Sequence, residues 1–195
     1  MHPTVAAEFE RILRACAAGG AVLEIGARPS PDTLLALPAL RNARERVGLD
    51  LDGPHDGDGF RIERGDANHM PFPDRRFDTV VCNSVLEHDP RFWLTLAEIR
   101  RVARPGAVVV LGVPGYVDAP SPLQPLGRLT WLPLVGPRLE SALASTSTLL
   151  VHRYPGDYYR FSEQAMREIL LEGLVGIETH VVMRPPRLVG AGRIA

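Results

Sequence analysis

The apolar positions of this chain change period repeatedly, and the changes divide it into elements. From Val5 to Ala18 they fall on one helical stripe through Phe9, Ile12, Leu13 and Cys16, which Gly19-Gly20 stops. Ala21–Ile25 follows as a buried strand and Gly26–Ser30 as a turn. Ser30-Pro31-Asp32 offers a hydroxyl cap, a proline in the first turn and an acid at the positive end, so a helix is predicted there, interrupted near Pro38. Strands are predicted at Arg46–Leu51, Phe60–Glu63 and Thr79–Asn83, with a Gly/Asp/His-rich loop at Gly53–Gly59. A helix at Phe92–Ala103 precedes an all-apolar strand, Ala107–Val113, whose composition marks a sheet interior covered on both faces. Beyond a Pro- and Gly-broken stretch, Ser162 caps a helix from Glu163 to about Glu172. Ile177–Met183 reads as a strand and Pro185–Ala195 as a short edge strand.

Short β-branched runs alternating with amphipathic segments are the pattern of an α/β protein with a doubly wound, mostly parallel sheet. With 195 residues, the expectation is one domain: a ligand-binding part at about residues 20–115 and a cover over the sheet at about 115–162. Within the cover, Leu123–Val135 reads as a substrate lid, a contact for a homodimer or a plain loop over the sheet.

Composition narrows the classes of function. All 22 basic residues are arginine, set singly among 23 acids for a net charge of −1, which disfavours broad electrostatic binding of nucleic acid or anionic membrane. Two cysteines, Cys16 and Cys82, make neither a disulfide framework nor a paired metal spacing. No apolar run reaches membrane-spanning length and the first residues lack a signal-peptide pattern. A soluble cytoplasmic protein is therefore expected.

Chemistry concentrates at strand ends. Glu24-Ile25-Gly26 closes the first strand, Asp50 closes the second about one strand–helix–strand unit later, and Gly65-Asp66-Ala67 follows the third. In a doubly wound sheet these carboxyl ends meet at one crevice. A carboxylate at Asp50 suits the two hydroxyls of a ribose, and Asp66 suits the exocyclic amine of adenine, so together they predict an adenosine site. Each acid taken alone equally well ends a strand. A nicotinamide-dinucleotide fingerprint is missing, since Gly26-Ala27-Arg28-Pro29-Ser30 keeps only its first glycine, and a chain without lysine has no Walker A loop.

The segments Val22–Gly26, Gly48-Leu49-Asp50, Gly65-Asp66-Ala67, Met70–Asp74, Phe77-Asp78, Val80–His88 and Glu98–Gly106 resemble, in order and spacing, the class I S-adenosylmethionine-dependent methyltransferases. That resemblance implies a Rossmann-like fold, with Glu24 and Gly26 beside the methionine part of S-adenosylmethionine, Asp50 on its ribose and Asp66-Ala67 on its adenine. Asn83, Val85 and Leu86 would line the approach to the sulfonium. Arg28 and Ser30 stand where the family usually has glycines; Arg28 either pairs with the methionine carboxylate or turns to a surface acid. Tyr154–Ser162 resembles segments of members that modify sugars and lipid-linked glycans, and the whole chain resembles the small actinobacterial sugar O-methyltransferases that methylate the reducing-end 1-hydroxyl of a methylated mannoside in polysaccharide biosynthesis. A saccharide acceptor is implied, with Tyr116, Tyr158, Tyr159 and Arg160 as its contacts.

Asn83-Ser84-Val85-Leu86 lacks the Asn-Pro-Pro-aromatic turn common among enzymes that methylate planar amines, so a hydroxyl acceptor is expected. Such an acceptor needs a base. His88 is the first candidate, against a role in packing the next helix, and His152 is the second. Asp89 is a candidate ligand for Mg2+, against plain solvation. Two rival readings remain: O-methylation of a non-sugar small molecule in an antibiotic or quinone pathway, and a non-catalytic partner subunit that only binds the cofactor.

Overall fold

The computed structural model describes residues 1–118, 146–148 and 156–195, so His152, Trp131 and the Leu123–Val135 stretch lie outside the described residues. Helix α1 (Pro3–Ala15) starts with proline in its first turn and buries Val5, Phe9, Ile12 and Leu13. It ends three residues before the expected Ala18. The Cys16 carbonyl instead accepts from Arg193 Nη2 at 2.8 Å, and Ala17 turns to positive φ.

An eight-stranded sheet forms the centre, in the order β3-β4-β2-β1-β5-β6-β10-β9. Strands β4 (Phe60–Arg64), β2 (Glu45–Asp50), β1 (Ala21–Ile25), β5 (Phe77–Asn83) and β6 (Ala103–Pro114) run parallel. Strand β10 (Arg187–Ile194) lies antiparallel between β6 and β9 (Leu174–Val182). The doubly wound, mostly parallel sheet is thus as the sequence predicts. A separate ladder pairs β7 (Tyr116–Asp118) with β8 (Thr146–Thr148).

The sheet separates two apolar layers. Alternate residues of β1 face opposite sides: Leu23 and Ile25 pack into one layer, Val22 into the other. The first layer is completed by Leu96, Ile99 and Val102 of helix α2 (Phe92–Val102) and by Met166 and Leu170 from a turn of π-helix that follows helix α3 (Glu163–Ala165). The second is completed by α1 with Leu34, Leu35 and Leu40. Asn68, Asp89 and Thr95 tie the β4–β5 loop to α2, and the Glu98 carboxylate accepts from the Met70 N–H at 2.7 Å.

Three expectations are corrected. The helix after Ser30 is replaced by two 3-10 turns, Leu34–Ala36 and Pro38–Leu40. Leu37 is held extended ahead of Pro38, as the proline ring requires, so no continuous helix can pass. The loop at 53–59 contains β3 (His55–Gly57), hairpin-paired with β4. The segment beginning at Pro185 is an interior strand, with β9 as the edge; its prolines sit in the preceding turn.

Candidate active site

At the carboxyl ends of β1, β2, β4 and β5 a cleft of about 1020 Å³ opens, at the place where ligands bind in open α/β sheets. Of the candidate residues, Glu24, Gly26, Arg28, Asp50, Asp66, Ala67, Asn83, Val85 and His88 line it. Leu86 does not: it is fully buried in the first core layer beside α2.

Strand β2 stops at Asp50, whose Oδ1 accepts from the Asp52 N–H at 2.9 Å; Asp66 Oδ1 accepts likewise from Asn68 at 2.8 Å. One oxygen of each acid therefore shapes its own loop, and Oδ2 of each takes no hydrogen bond among the described residues. The floor between them needs glycine. Gly26 has a φ of +76°, and a Cβ there would lie 2.3 Å from Val85 Cγ2. Its N–H donates to the Leu49 carbonyl at 2.8 Å, which binds the β1 turn to the end of β2.

Glu24, in the cleft wall, also holds the adjoining turn. Its side chain is buried, and Oε1 accepts from the Leu34 N–H at 3.1 Å while Oε2 accepts from the Leu35 N–H at 3.0 Å and from the Thr33 hydroxyl. The carboxylate thereby caps the 3-10 turn that stands where a helix was expected, satisfying donors that such a turn leaves without partners. Burial pushes its carboxyl above the usual range, against the pull of these three donors. The Ser30 hydroxyl accepts from the Asp32 N–H at 3.2 Å. Arg28 is exposed in the cleft and meets no acid among the described residues.

His88 follows β5 and points its Nδ1 at the Gly156 carbonyl. A carbonyl only accepts, so Nδ1 carries the hydrogen and Nε2 the lone pair of the neutral ring. Asp89 is occupied as a structural acid: Oδ1 accepts from the Arg91 N–H at 2.8 Å and Oδ2 from Asn68 Nδ2 at 2.6 Å and the Thr95 hydroxyl at 2.8 Å. Its fit to a magnesium ion is correspondingly poor, and no group of three His, Cys, Asp or Glu among the described residues could hold a metal.

None of the four expected acceptor contacts lines the cleft. Tyr159 packs edge-on against Phe92 at 5.0 Å and donates its hydroxyl to the Pro90 carbonyl at 3.0 Å. Arg160 is clamped by both oxygens of Asp157. Tyr116 and Tyr158 are exposed. Sequence reasoning missed Thr33, Gly156 and Arg187; the last donates to the Ser84 hydroxyl at 2.7 Å across 103 positions of chain, a contact no local pattern signals.

Comparison with known proteins agrees with this architecture. Residues 25–111 match a family model described as a methyltransferase domain. A fatty-acid O-methyltransferase of Mycolicibacterium smegmatis is 34% identical over 109 residues, covering 52% of this chain and 38% of that protein. The phthiotriol/phenolphthiotriol dimycocerosates methyltransferase 1 of Mycobacterium ulcerans is 31% identical over 148 residues, covering 68% of this chain and 52% of that one. This chain spans 38% of the length of the uncharacterized methyltransferases of Mycobacterium strains that it matches. Among solved structures, the 1,6-didemethyltoxoflavin-N1-methyltransferase of Burkholderia thailandensis, crystallised with its substrate and S-adenosylhomocysteine, superposes with a TM-score of 0.65 at 21% identity. That match covers 99% of this chain and 80% of that one.

Proposed function

We propose that this chain, whose residues 25–111 match a methyltransferase-domain model, is a class I S-adenosylmethionine-dependent methyltransferase that moves a methyl group from S-adenosylmethionine to a hydroxyl of a small molecule. The observation that carries this reading is the pair of strand-end acids, Asp50 and Asp66, each with one oxygen committed to its loop and the other available to a nucleoside in the same cleft. Gly26 admits a ligand close to the backbone, and Arg28 is a guanidinium fork of the kind that pairs with a carboxylate. The residues fit the group: Asp50 would hold the ribose hydroxyls, Asp66 the adenine amine and Arg28 the methionine carboxylate.

S-adenosylmethionine, when bound, supplies a methyl group already activated on a sulfonium. What remains for the protein is to orient the acceptor and remove its proton. His88, on the cleft wall with Nε2 as its basic nitrogen, takes that role. A saccharide acceptor keeps Tyr116 and Tyr158 as exposed rings beside the segment that meets His88. The fatty-acid methyltransferase relative favours an apolar hydroxyl- or carboxyl-bearing acceptor as the second reading.

Calorimetry with S-adenosylhomocysteine tests the cofactor half. Binding to the native chain is expected, with a loss of roughly 10-fold to 100-fold in Asp50→Ala, the scale of a hydrogen bond to a charged group. No binding, or unchanged binding in the variant, overturns it. Incubation with labelled methyl donor and a panel of sugars, hydroxy lipids and phenols then separates the acceptor classes by which compound takes up the label.

A further inference from the structure

Glu87 stands between Leu86 and the proposed base, and its side chain is fully buried with neither oxygen in hydrogen-bond geometry. An unsatisfied buried carboxylate is costly, so its retention asks for a reason. Its charged surroundings come from three elements. From β10, Arg187 Nη1 lies 3.5 Å from Oε1 and is itself fixed on the Ser84 hydroxyl at 2.7 Å. From the segment before α3, Arg160 adds a more distant positive field while held by Asp157. From its own segment, His88 Nε2 lies 3.8 Å from Oε1, and the buried Cys82 thiol of β5 is a further titratable neighbour.

The nitrogen nearest the carboxylate is thus the one the Gly156 carbonyl leaves basic. At 3.8 Å the contact is an ion-pair distance and not a hydrogen bond, so Glu87 acts on charge at Nε2 without competing for its lone pair. We propose that Glu87 is the positioning residue of His88, the fixed countercharge for the proton that Nε2 receives. As the acceptor oxygen forms its bond to the methyl carbon, the O–H proton passes to Nε2 and the electron pair of the broken S–CH3 bond stays on sulfur. The imidazolium then sits beside a carboxylate that Arg187 keeps in place. Burial holds the Glu87 carboxyl above its ordinary range, against the fields of His88, Arg187 and Arg160. This inference rests on the reading of His88 as the base.

Ring-nitrogen NMR of the full chain with S-adenosylhomocysteine added tests it without any acceptor. The neutral His88 ring is expected to carry its hydrogen on Nδ1; a hydrogen on Nε2 overturns the proposal in the native protein, whatever the variants do. In Glu87→Gln the ring-nitrogen resonances of His88 are expected to move away from their native positions, with Glu87→Asp restoring most of the native spectrum. A ring spectrum unchanged in Glu87→Gln overturns the proposal. S-adenosylhomocysteine affinity should stay within about twofold in Glu87→Gln, since Glu87 does not line the cleft. A native chain that binds no S-adenosylhomocysteine removes the methyltransferase reading instead, and the ring measurement still reports on the pair.

Discussion

Glu24 shows how a single carboxylate in a cleft wall can organise the turn beside it. Three donors from residues 33–35 converge on its two oxygens, so removing it leaves the Thr33 hydroxyl and two buried N–H groups without partners. Glu24→Ala is expected to cost about 2–4 kcal/mol, read as a fall in the denaturation midpoint. Glu24→Gln should also destabilise, because its amide NH2 would face a donor. Gly26→Ala belongs to the same scale: it combines a positive φ with a Cβ that meets Val85. It should lower S-adenosylhomocysteine affinity by about 10-fold while costing about 1–2 kcal/mol of stability. The sequence makes Asp50 and Asp66 readable because a strand end has only one place to go. It leaves Glu24 ambiguous, since its partners become partners only after the chain has turned through the proline-rich segment. Leu86 was misread for a related reason: one residue of rotation after β5 separates the cleft wall from the core.

Elements joined through α2 carry the protein's acid sensitivity. Glu98 accepts from the Met70 N–H and from Arg101, and Arg101 also donates to the carbonyls of Met70 and Phe72, so the helix clamps the loop that follows Asp66. Chiefly through the hydrogen bond from Arg101, the Glu98 carboxyl is held below its ordinary 4.5. A carboxyl whose folded value is depressed binds fewer protons in the folded state than in the unfolded one. The stability it gives is therefore complete above about pH 4.5 and is lost as the pH falls through the lower folded value. Glu45, held down by Arg61 and Arg76, adds to the loss in the same window. Glu98→Gln should lower the melting temperature at pH 7 by about 2–4 °C. Scans between pH 3 and pH 6 should show a shallower acid decline than the native chain, and an equal decline in both proteins contradicts this account. Periodicity made α1, α2 and the parallel strands legible nearly to their ends. It missed β3, because three polar residues gain a strand only by pairing with their neighbour in a hairpin.

Across the whole molecule the order of the last two strands decides what a substitution costs. Glycine and arginine in Arg187–Ile194, after two prolines, read as the composition of an edge. The fold instead inserts this strand between β6 and β9 and closes Gly190 against Met166 and Leu171, where a Cβ would come within 2.9 Å of both. Polar-looking composition here reflects close approach of an element, which a one-dimensional pattern cannot distinguish from exposure. The two assignments predict opposite results. Leu188, on β10, is 1% exposed, whereas Val181, on β9, is 43% exposed. If β10 is interior, Leu188→Ala removes core contacts beneath the β6 end of the sheet and should cost about 2–5 kcal/mol, while Val181→Ala stays within about 0.5 kcal/mol. Urea denaturation of the two variants beside the native chain measures both. A larger cost at Val181 than at Leu188 would restore the edge assignment and, with it, detach Arg187 from Ser84 and Glu87, the residues that its guanidinium meets just after β5.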